Sequence, residues 1–458
     1  MNPASASPRK SPASASPADG TVARDEVSAV TAPVECGWPG RGRPHSPLLG
    51  RNDLERRLAL ALKIAGRTIS LLGQDGYRDE AALEDSFGPD KPLAETAMLL
   101  HAASAVAQEA GLAVPLDELA AQLARYARTD RVAVAIALHP TICLQLAMPH
   151  ILLTRLGIRD ERFDRVLGLS LESSSHRGRE VVPHRTLEAL WLRSLIEGEL
   201  PEPTLDSVAK RSAMSHRLDL LWGSRDDAYA YTHTFMYFTD FGYRCRPLPE
   251  AALHALDQLE ALLARSLLVE DFDLAAETLM IWPMASVAWS PVARFGFRVL
   301  AELEDRVGFL PSGNGVPERF SRLEGLERTR YALAASYHTA YVMGMLCALS
   351  LRPGHAGDAE VRSELVPPSV IGRLLDAIPV ADTPWQRTFR NLDPCDQQAL
   401  APFLLDVALL DSTRKHDFGR AAGLLETASN CDVGSTVVCT QVRELMDRVC
   451  GLAGVSPM

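Results

Sequence analysis

One segment of the chain carries aromatic, imidazole and hydroxyl side chains where a surface helix would carry long charged residues. Between Asp227 and Asp240 the sequence reads AYAYTHTFMYFT. On a helix that turns about 100° per residue, Tyr229, His233 and Asp240 fall within about 40° of one another. A histidine beside a carboxylate can transfer protons or hold a ligand. We therefore expect His233 to act as an acid/base group or metal ligand, and Asp240 to orient it or bind beside it.

Two further segments carry reactive side chains at helical spacing. His338 lies in a run without charged residues, and His184 and Glu188 are one helical turn apart. If the helices that carry them line a common interior, these groups converge, and His338 is then a second catalytic group from another helix. The predicted ligand-binding residues are Tyr229, Tyr237, Tyr341, His184 and Glu188. For any one of these residues, a structural hydrogen bond in the core is the simpler explanation.

Familiar catalytic motifs are missing from the sequence. The eight cysteines form no CxxC pair, and there is no GxSxG, HExxH or phosphate-binding glycine loop. His233 and Asp240 provide only two weak ligands on one helix, so the sequence favours a site without a metal. It identifies no cofactor.

Nearly every segment after Asn52 has the apolar periodicity of a helix. The stretches 132–154 and 331–351 contain no Asp, Glu, Lys or Arg, whereas their neighbours are densely charged. Such alternation is typical of an α/α toroid or barrel, in which inner helices are covered on all sides, and of an open α-solenoid. We predict an all-α fold with a toroid-like array of helix pairs, with the solenoid as the alternative.

Composition and charge also predict the nature of the N-terminal tail, the compartment and the classes of partner. Residues 1–48 are rich in Ser, Ala and Pro, which predicts a disordered tail before a single domain at 49–458. The scattered cysteines favour a reducing cytoplasm. A net charge of −11 argues against nucleic acid as a partner, and the charge-free runs lack the Leu/Ile/Phe density of a membrane span.

The segments described above also carry a resemblance. The Tyr-x-x-x-His helix that ends in Thr239-Asp-Phe-Gly242, followed by Tyr337-His-Thr-Ala-Tyr341, resembles uncharacterised all-α bacterial proteins that form a domain of unknown function. The resemblance covers most of residues 52–452. It implies a helical fold and no particular activity.

Two functions remain from the sequence. The first is a small-molecule-binding accessory protein or enzyme of specialised metabolism, with a central polar and aromatic pocket. The second is a helical scaffold that binds a protein partner and performs no chemistry. A pocket predicts that His233 and His338 approach each other inside the fold. A scaffold predicts that they lie apart and that an apolar groove is exposed.

Overall fold

The computed structural model describes most of the chain after the predicted tail. The described residues are 50–73, 76–77, 88–198, 202–244, 255–312, 317–352, 366–430, 433 and 436–454. The predicted disordered tail at 1–48 lies outside them. Within these residues the chain forms helices and no β-sheet, so the all-α prediction is confirmed.

The described helices are numbered α1 to α20 in chain order. Their bounds are α1 Arg51–Ser70, α2 Asp90–Ser104, α3 Ala113–Ala127, α4 Asp130–Leu138, α5 Cys143–Arg155, α6 Glu161–Glu172, α7 Pro183–Glu197, α8 Glu202–Ala209, α9 Arg225–Phe238, α10 Ala255–Leu268, α11 Phe272–Met284, α12 Pro291–Val307, α13 Pro317–Arg322, α14 Gly325–Ser350, α15 Pro368–Asp376, α16 Pro384–Arg390, α17 Pro394–Ala399, α18 Ala401–Arg414, α19 Phe418–Asn430 and α20 Val437–Ala453.

Two helices form the centre of the structure, and both come from charge-poor sequence. In α14 almost every residue from Tyr331 to Leu349 is buried or half-buried. All thirteen residues of α11 are buried. A helix that is covered all round must be surrounded by other helices, and α14 packs against α1, α2 and α11. Polar side chains on α11 and α14 therefore point into protein rather than into bulk water.

The helix contacts close into a ring. In order, α2 packs against α14, α14 against α11, α11 against α9, α9 against α7, α7 against α5, and α5 against α2. The predicted site residues on α7, α9 and α14 thus belong to helices of this ring. Helices α1, α3, α4 and α10 also contact helices of this ring.

One described helix has the length and composition of a membrane span. This is α14, and 83% of its most apolar window is buried inside the protein. A second candidate arises if α4 and the segment that ends with α5 are taken together, although they are bent by 105°. Core helices of folded proteins pass the same composition test, so this is weak evidence for a membrane.

The packing of α14 against α1 requires a glycine. A Cβ built on Gly344 would overlap the Cβ of Ala61 on α1 and lie 3.1 Å from Cδ1 of Leu99. The Ala61 methyl group is fixed to its helix and cannot turn away. We expect Gly344→Ala to lower the free energy of unfolding by about 1–3 kcal/mol through overpacking. Chemical denaturation measures this change, and Gly372→Ala, where the added Cβ meets open space, is the control. Equal stability of both variants would contradict the close approach.

Candidate functional site

Helix α11 carries two buried carboxylates. Asp273 and Glu277 are one turn apart on this helix, and they are 7% and 1% exposed. Asp271 caps the N-terminus of this helix, and its side chain accepts a hydrogen bond from the backbone N–H of Leu274. Because α11 has no exposed face, both carboxylates must be satisfied by groups on neighbouring helices.

Helix α14 brings a histidine to both carboxylates. Nε2 of His338 lies 3.3 Å from Oδ2 of Asp273 and 4.0 Å from Oε1 of Glu277. Its other ring nitrogen, Nδ1, lies 3.1 Å from Oε2 of Glu95 on α2. These two atoms are close enough for an ion pair but do not have hydrogen-bond geometry. The charge of Glu95 therefore acts on the side of His338 that faces away from Asp273.

Helix α9 approaches the same carboxylates from the other side. Nε2 of His233 lies 3.3 Å from Oε1 of Glu277, the oxygen that also faces His338. Thr232 donates to the second oxygen of Glu277, and Tyr229 donates to Oδ2 of Asp273. The two predicted histidines thus meet at one buried carboxylate. Glu95, His233, Asp273, Glu277 and His338 together form what we call the carboxylate–histidine cluster.

Interactions between charged groups determine the direction of the pKa shifts in this cluster. Burial alone would lower the pKa of His338, but the carboxylates of Asp273 and Glu95 outweigh it and raise that pKa well above its ordinary value. Burial alone would raise the pKa values of Asp273 and Glu95, and His338 reverses the direction and lowers both. Without an ion, the cluster therefore holds ionised carboxylates around an imidazolium.

A basic residue stands at the edge of the cluster. Arg225 pairs with Asp271 through two contacts of 2.7 and 2.9 Å, and its guanidinium lies 4.0 Å from Oδ2 of Asp273. Its bidentate partner is therefore Asp271 rather than the cluster. Asp273 also keeps one buried oxygen, Oδ1, that has no hydrogen-bond partner within the part of the chain that the structure describes.

The geometry of the cluster suits a metal ion. One ligand atom each of Asp273, Glu277 and His338 lies within 4.8 Å of the others. Two ligands bonded to one ion at about 2.1 Å are separated by about 3.0–3.4 Å. The Asp273–His338 and Glu277–His233 separations, both 3.3 Å, already have this value. The cluster can thus supply one imidazole and two carboxylate ligands to one ion, with His233 beside Glu277.

The cluster opens on one side to aromatic and histidine side chains. The His233 and His338 side chains are 22% and 28% exposed. The rings of Tyr229, Tyr237 and His184 lie 5.7, 6.0 and 6.5 Å from the ring of His233. Burial, Arg185 and His233 lower the pKa of His184 to about 4, so this imidazole is neutral at pH 7. It can accept or donate a hydrogen bond to a ligand without adding charge.

Glu188 is buried next to Tyr237, one of the aromatic residues beside His233. It is 2% exposed, and its Oε1 accepts hydrogen bonds of 2.9 Å from the hydroxyl of Tyr237 and from Arg185. Oε2 of Glu188 is buried without a partner within the described residues. Burial and the charge of Glu188 raise the pKa of Tyr237 well above its usual value. Glu188 therefore holds Tyr237 protonated and in position beside His233.

The predicted partnership between Asp240 and His233 is wrong. Helix α9 ends at Phe238, and the backbone N–H of Phe241 bonds to the carbonyl of Met236, with Asp240 in the left-handed region at φ 50°. The helical face that would align Asp240 with His233 therefore does not continue this far. Oδ1 of Asp240 accepts from Trp191 at 2.6 Å and lies 3.0 Å from Nε2 of His101.

Tyr341 has the contacts of a core residue. It is fully buried, its hydroxyl accepts a 3.1 Å hydrogen bond from Thr96, and its ring lies 5.1 Å from that of Tyr337. It therefore packs between α14 and α2. The structure brings together His184, Tyr229, His233 and Tyr237 directly, and joins His338 to them through Glu277.

The site residues predicted from the sequence do not include the three carboxylates of the cluster. Asp273 and Glu277 stand four residues apart in a helix that otherwise carries no charge, and such a pair is a signal for a buried polar site. Glu95 gave no comparable signal, because it lies in an ordinary amphipathic stretch. Only its position opposite His338 reveals its role.

The family comparison agrees with the resemblance found in the sequence. A model of a domain of unknown function, DUF6895, matches residues 62–348. The match includes every residue of the carboxylate–histidine cluster. No curated protein and no solved structure gives a significant match. Because the matched region is more than half of the chain, the protein belongs to the DUF6895 family.

Proposed function

We propose that this protein binds a small organic ligand at a divalent metal ion, and that the ion is held by Asp273, Glu277 and His338, with His233 beside Glu277. The observation that carries the proposal is the approach of two histidines from different helices to one buried carboxylate oxygen. The sequence favoured a metal-free site because it offered two ligands on one helix. Asp273 and Glu277 supply the ligands that were lacking.

The proposed ion is a first-row transition metal. Imidazole and carboxylate together suit zinc, manganese or iron(II), whereas magnesium and calcium prefer oxygen ligands alone. The exposed sides of His233 and His338 leave room for a ligand to reach the ion. Bound there, the ion would polarise a carbonyl or activate water, and Tyr229, Tyr237 and His184 would orient the organic part of the ligand.

The ring of helix contacts supports a closed toroid. Six helices contact one another in a cycle that returns from α5 to α2, whereas in an open solenoid the first and last repeats do not meet. We infer that the fold is an α/α toroid with the carboxylate–histidine cluster in its interior. This arrangement would exclude bulk water from the ligand, which strengthens electrostatic interactions at the ion.

A non-catalytic scaffold is the competing function. That hypothesis expects His233 and His338 to lie apart, and they are joined through Glu277. The geometry therefore favours the pocket. A reducing compartment such as the cytoplasm fits the free thiols of Cys143, Cys347, Cys395, Cys439 and Cys450 within the described residues.

Metal analysis of the intact protein tests the proposal. Protein purified without chelator or affinity metal is expected to contain close to one transition-metal ion per chain, measured by inductively coupled plasma mass spectrometry. After chelation, titration with Zn²⁺, Mn²⁺ and Fe²⁺ should restore one site. Asp382→Asn, which changes an exposed carboxylate, should behave as the wild type. Absence of any ion and of any tight binding site in the apo protein would refute the metal site.

A further inference from the structure

A second polar pocket lies away from the carboxylate–histidine cluster. A cavity of about 620 Å³, open to solvent on one side, is lined by α10, α11, α18 and α20 with the loop after α11. This volume is in the range of pockets that hold small organic ligands. The family match ends at residue 348, so the wall contributed by α18 and α20 comes from a part of the chain outside that match.

Two carboxyl groups line this cavity. Asp406 on α18 is 3% exposed, and Glu260 on α10 lies close enough for its charge to act on Asp406. Among the described residues, Thr436 is the side chain that donates to Asp406, and it reaches Oδ1. The second oxygen of Asp406 therefore has no protein donor there. Because Asp406 lines the cavity, this oxygen is available to a donor from a ligand or from water.

The other polar groups of the wall are already engaged. The side chain of Gln258 accepts from the backbone N–H of Leu218 and donates to the carbonyl of His216. Gln441 accepts from Leu220 and donates to Leu218. Both amides thus anchor the loop before α9 and are not available to a ligand. Asp406 and Glu260 remain as the recognition groups.

The rest of the wall is apolar and aromatic. Trp282 and Phe403, together with Leu259 and Val287, line the cavity. Aromatic faces attract organic cations and pack against alkyl chains. The basic residue on the wall, Arg217, is 67% exposed and lies 3.7 Å from Glu444, so its charge is directed to solvent and to that partner.

We propose that this cavity binds a small organic ammonium ion with an apolar body. The ammonium group would donate to the free oxygen of Asp406 and to Glu260, and the hydrocarbon part would lie against Trp282 and Phe403. A neutral alcohol of the same shape would fill the cavity without forming an ion pair with either acid. An organic carboxylate would form no ion pair and would be repelled by whichever acid is ionised.

The protonation state of Asp406 and Glu260 in the empty cavity gives amine binding a measurable signature. Burial and the charge of Glu260 raise the pKa of Asp406 to about 8, so it is mostly protonated at neutral pH when nothing is bound. Burial also raises the pKa of Glu260, although a hydrogen bond from Ser290 opposes the shift. A bound cation would favour the ionised forms, and binding should therefore release protons.

Calorimetric titration of the full-length protein with hexylamine, hexanol and hexanoate tests the proposal. Hexylamine should bind, hexanol should bind at least about ten-fold more weakly, which corresponds to about 1.4 kcal/mol, and hexanoate should not bind. The heat of hexylamine binding should depend on the ionisation enthalpy of the buffer, because protons are released. Equal binding of amine and alcohol, or no amine binding at millimolar concentrations, would overturn the assignment.

Substitutions locate the binding. Asp406→Asn keeps an acceptor for Thr436 but removes the charge, and it should reduce hexylamine affinity at least about ten-fold while circular dichroism and the melting temperature show a folded protein. Asp447→Asn, at an exposed position of α20, should leave binding unchanged. Removal of the metal by chelation should also leave it unchanged, which separates this site from the metal site. Full retention of amine binding in Asp406→Asn would refute the role of this cavity.

Discussion

Replacing His338 with alanine is expected to lower the affinity of the protein for Zn²⁺ by more than about 100-fold, since even outer partners of a metal ligand are typically worth about 10- to 100-fold. His338 contributes the nitrogen that lies 3.3 Å from Asp273 and 4.0 Å from Glu277. Its loss leaves the ion with two carboxylate ligands, beside His233. Isothermal titration of the apo protein measures the change directly.

The same site should show a characteristic pH dependence. A metal must displace the proton from Nε2 of His338, and the neighbouring carboxylates raise the pKa of this histidine. Below that pKa the proton competes with the metal, so the apparent affinity should fall by up to about ten-fold for each unit of decreasing pH. Affinity should therefore rise with pH across the neutral range.

Glu95 provides a sharper test because it acts through His338. Glu95→Gln should weaken Zn²⁺ binding by about 10- to 100-fold at high pH. It also removes one carboxylate that raises the pKa of His338, so the pH dependence should move to lower pH. A merely structural role for Glu95 would change stability and leave the pH profile in place.

If His338→Ala binds zinc as tightly as the wild type, the cluster is an internal ion-pair network instead.

Replacing Arg57 with methionine is expected to lower the free energy of unfolding by about 3–5 kcal/mol, because a buried acid then loses its cation. Arg57 on α1 is 2% exposed and pairs with Glu304, which is also 2% exposed, on α12. It further contacts Asp53 at 2.9 Å and Asp305 at 2.8 Å. Burial would lower the pKa of Arg57, but these acids raise it above its ordinary value.

Two further variants distinguish a buried pair from a surface pair. Arg56→Met removes a neighbouring arginine that is 46% exposed, and exposed pairs contribute about 0–1 kcal/mol. The double variant Arg57→Met/Glu304→Met replaces both buried charges by apolar groups and should recover part of the loss. Chemical denaturation compares the four proteins. If Arg57→Met costs no more than Arg56→Met, the ion pair does not stabilise the contact between α1 and α12.

Histidine positions within charge-free helices were the most informative feature of the sequence. Apolar stretches without compensating charge must be buried, so His233 and His338 were predictable as interior residues. The pair Asp273 and Glu277 obeys the same logic, because a carboxylate pair in an otherwise apolar helix must meet partners from another helix. Neither residue of this pair was among the predicted site residues.

Asp240 shows where a periodicity argument fails. Its alignment with His233 assumes a helix that continues to Gly242. The chain instead leaves the helix after Phe238, because a backbone hydrogen bond from Phe241 to Met236 closes the end. Helix ends depend on such local closures, and a difference of two residues moves a side chain to another partner.

The sequence by itself determined the helical fold, since its apolar residues repeat at the period of a helix and no alternating strand pattern competes. It also indicated that α14 is interior, because residues 331–351 carry no charge, whereas α4 in the charge-free stretch 132–154 leaves Val134 and Leu138 54% and 69% exposed. Tertiary structure alone decided which polar groups meet. Glu95 and His338 are separated by more than two hundred residues, and no local pattern encodes their distance of 3.1 Å. That contact exists because α2 and α14 pack side by side, and helix packing depends on the fit of whole surfaces rather than on the spacing of a few residues.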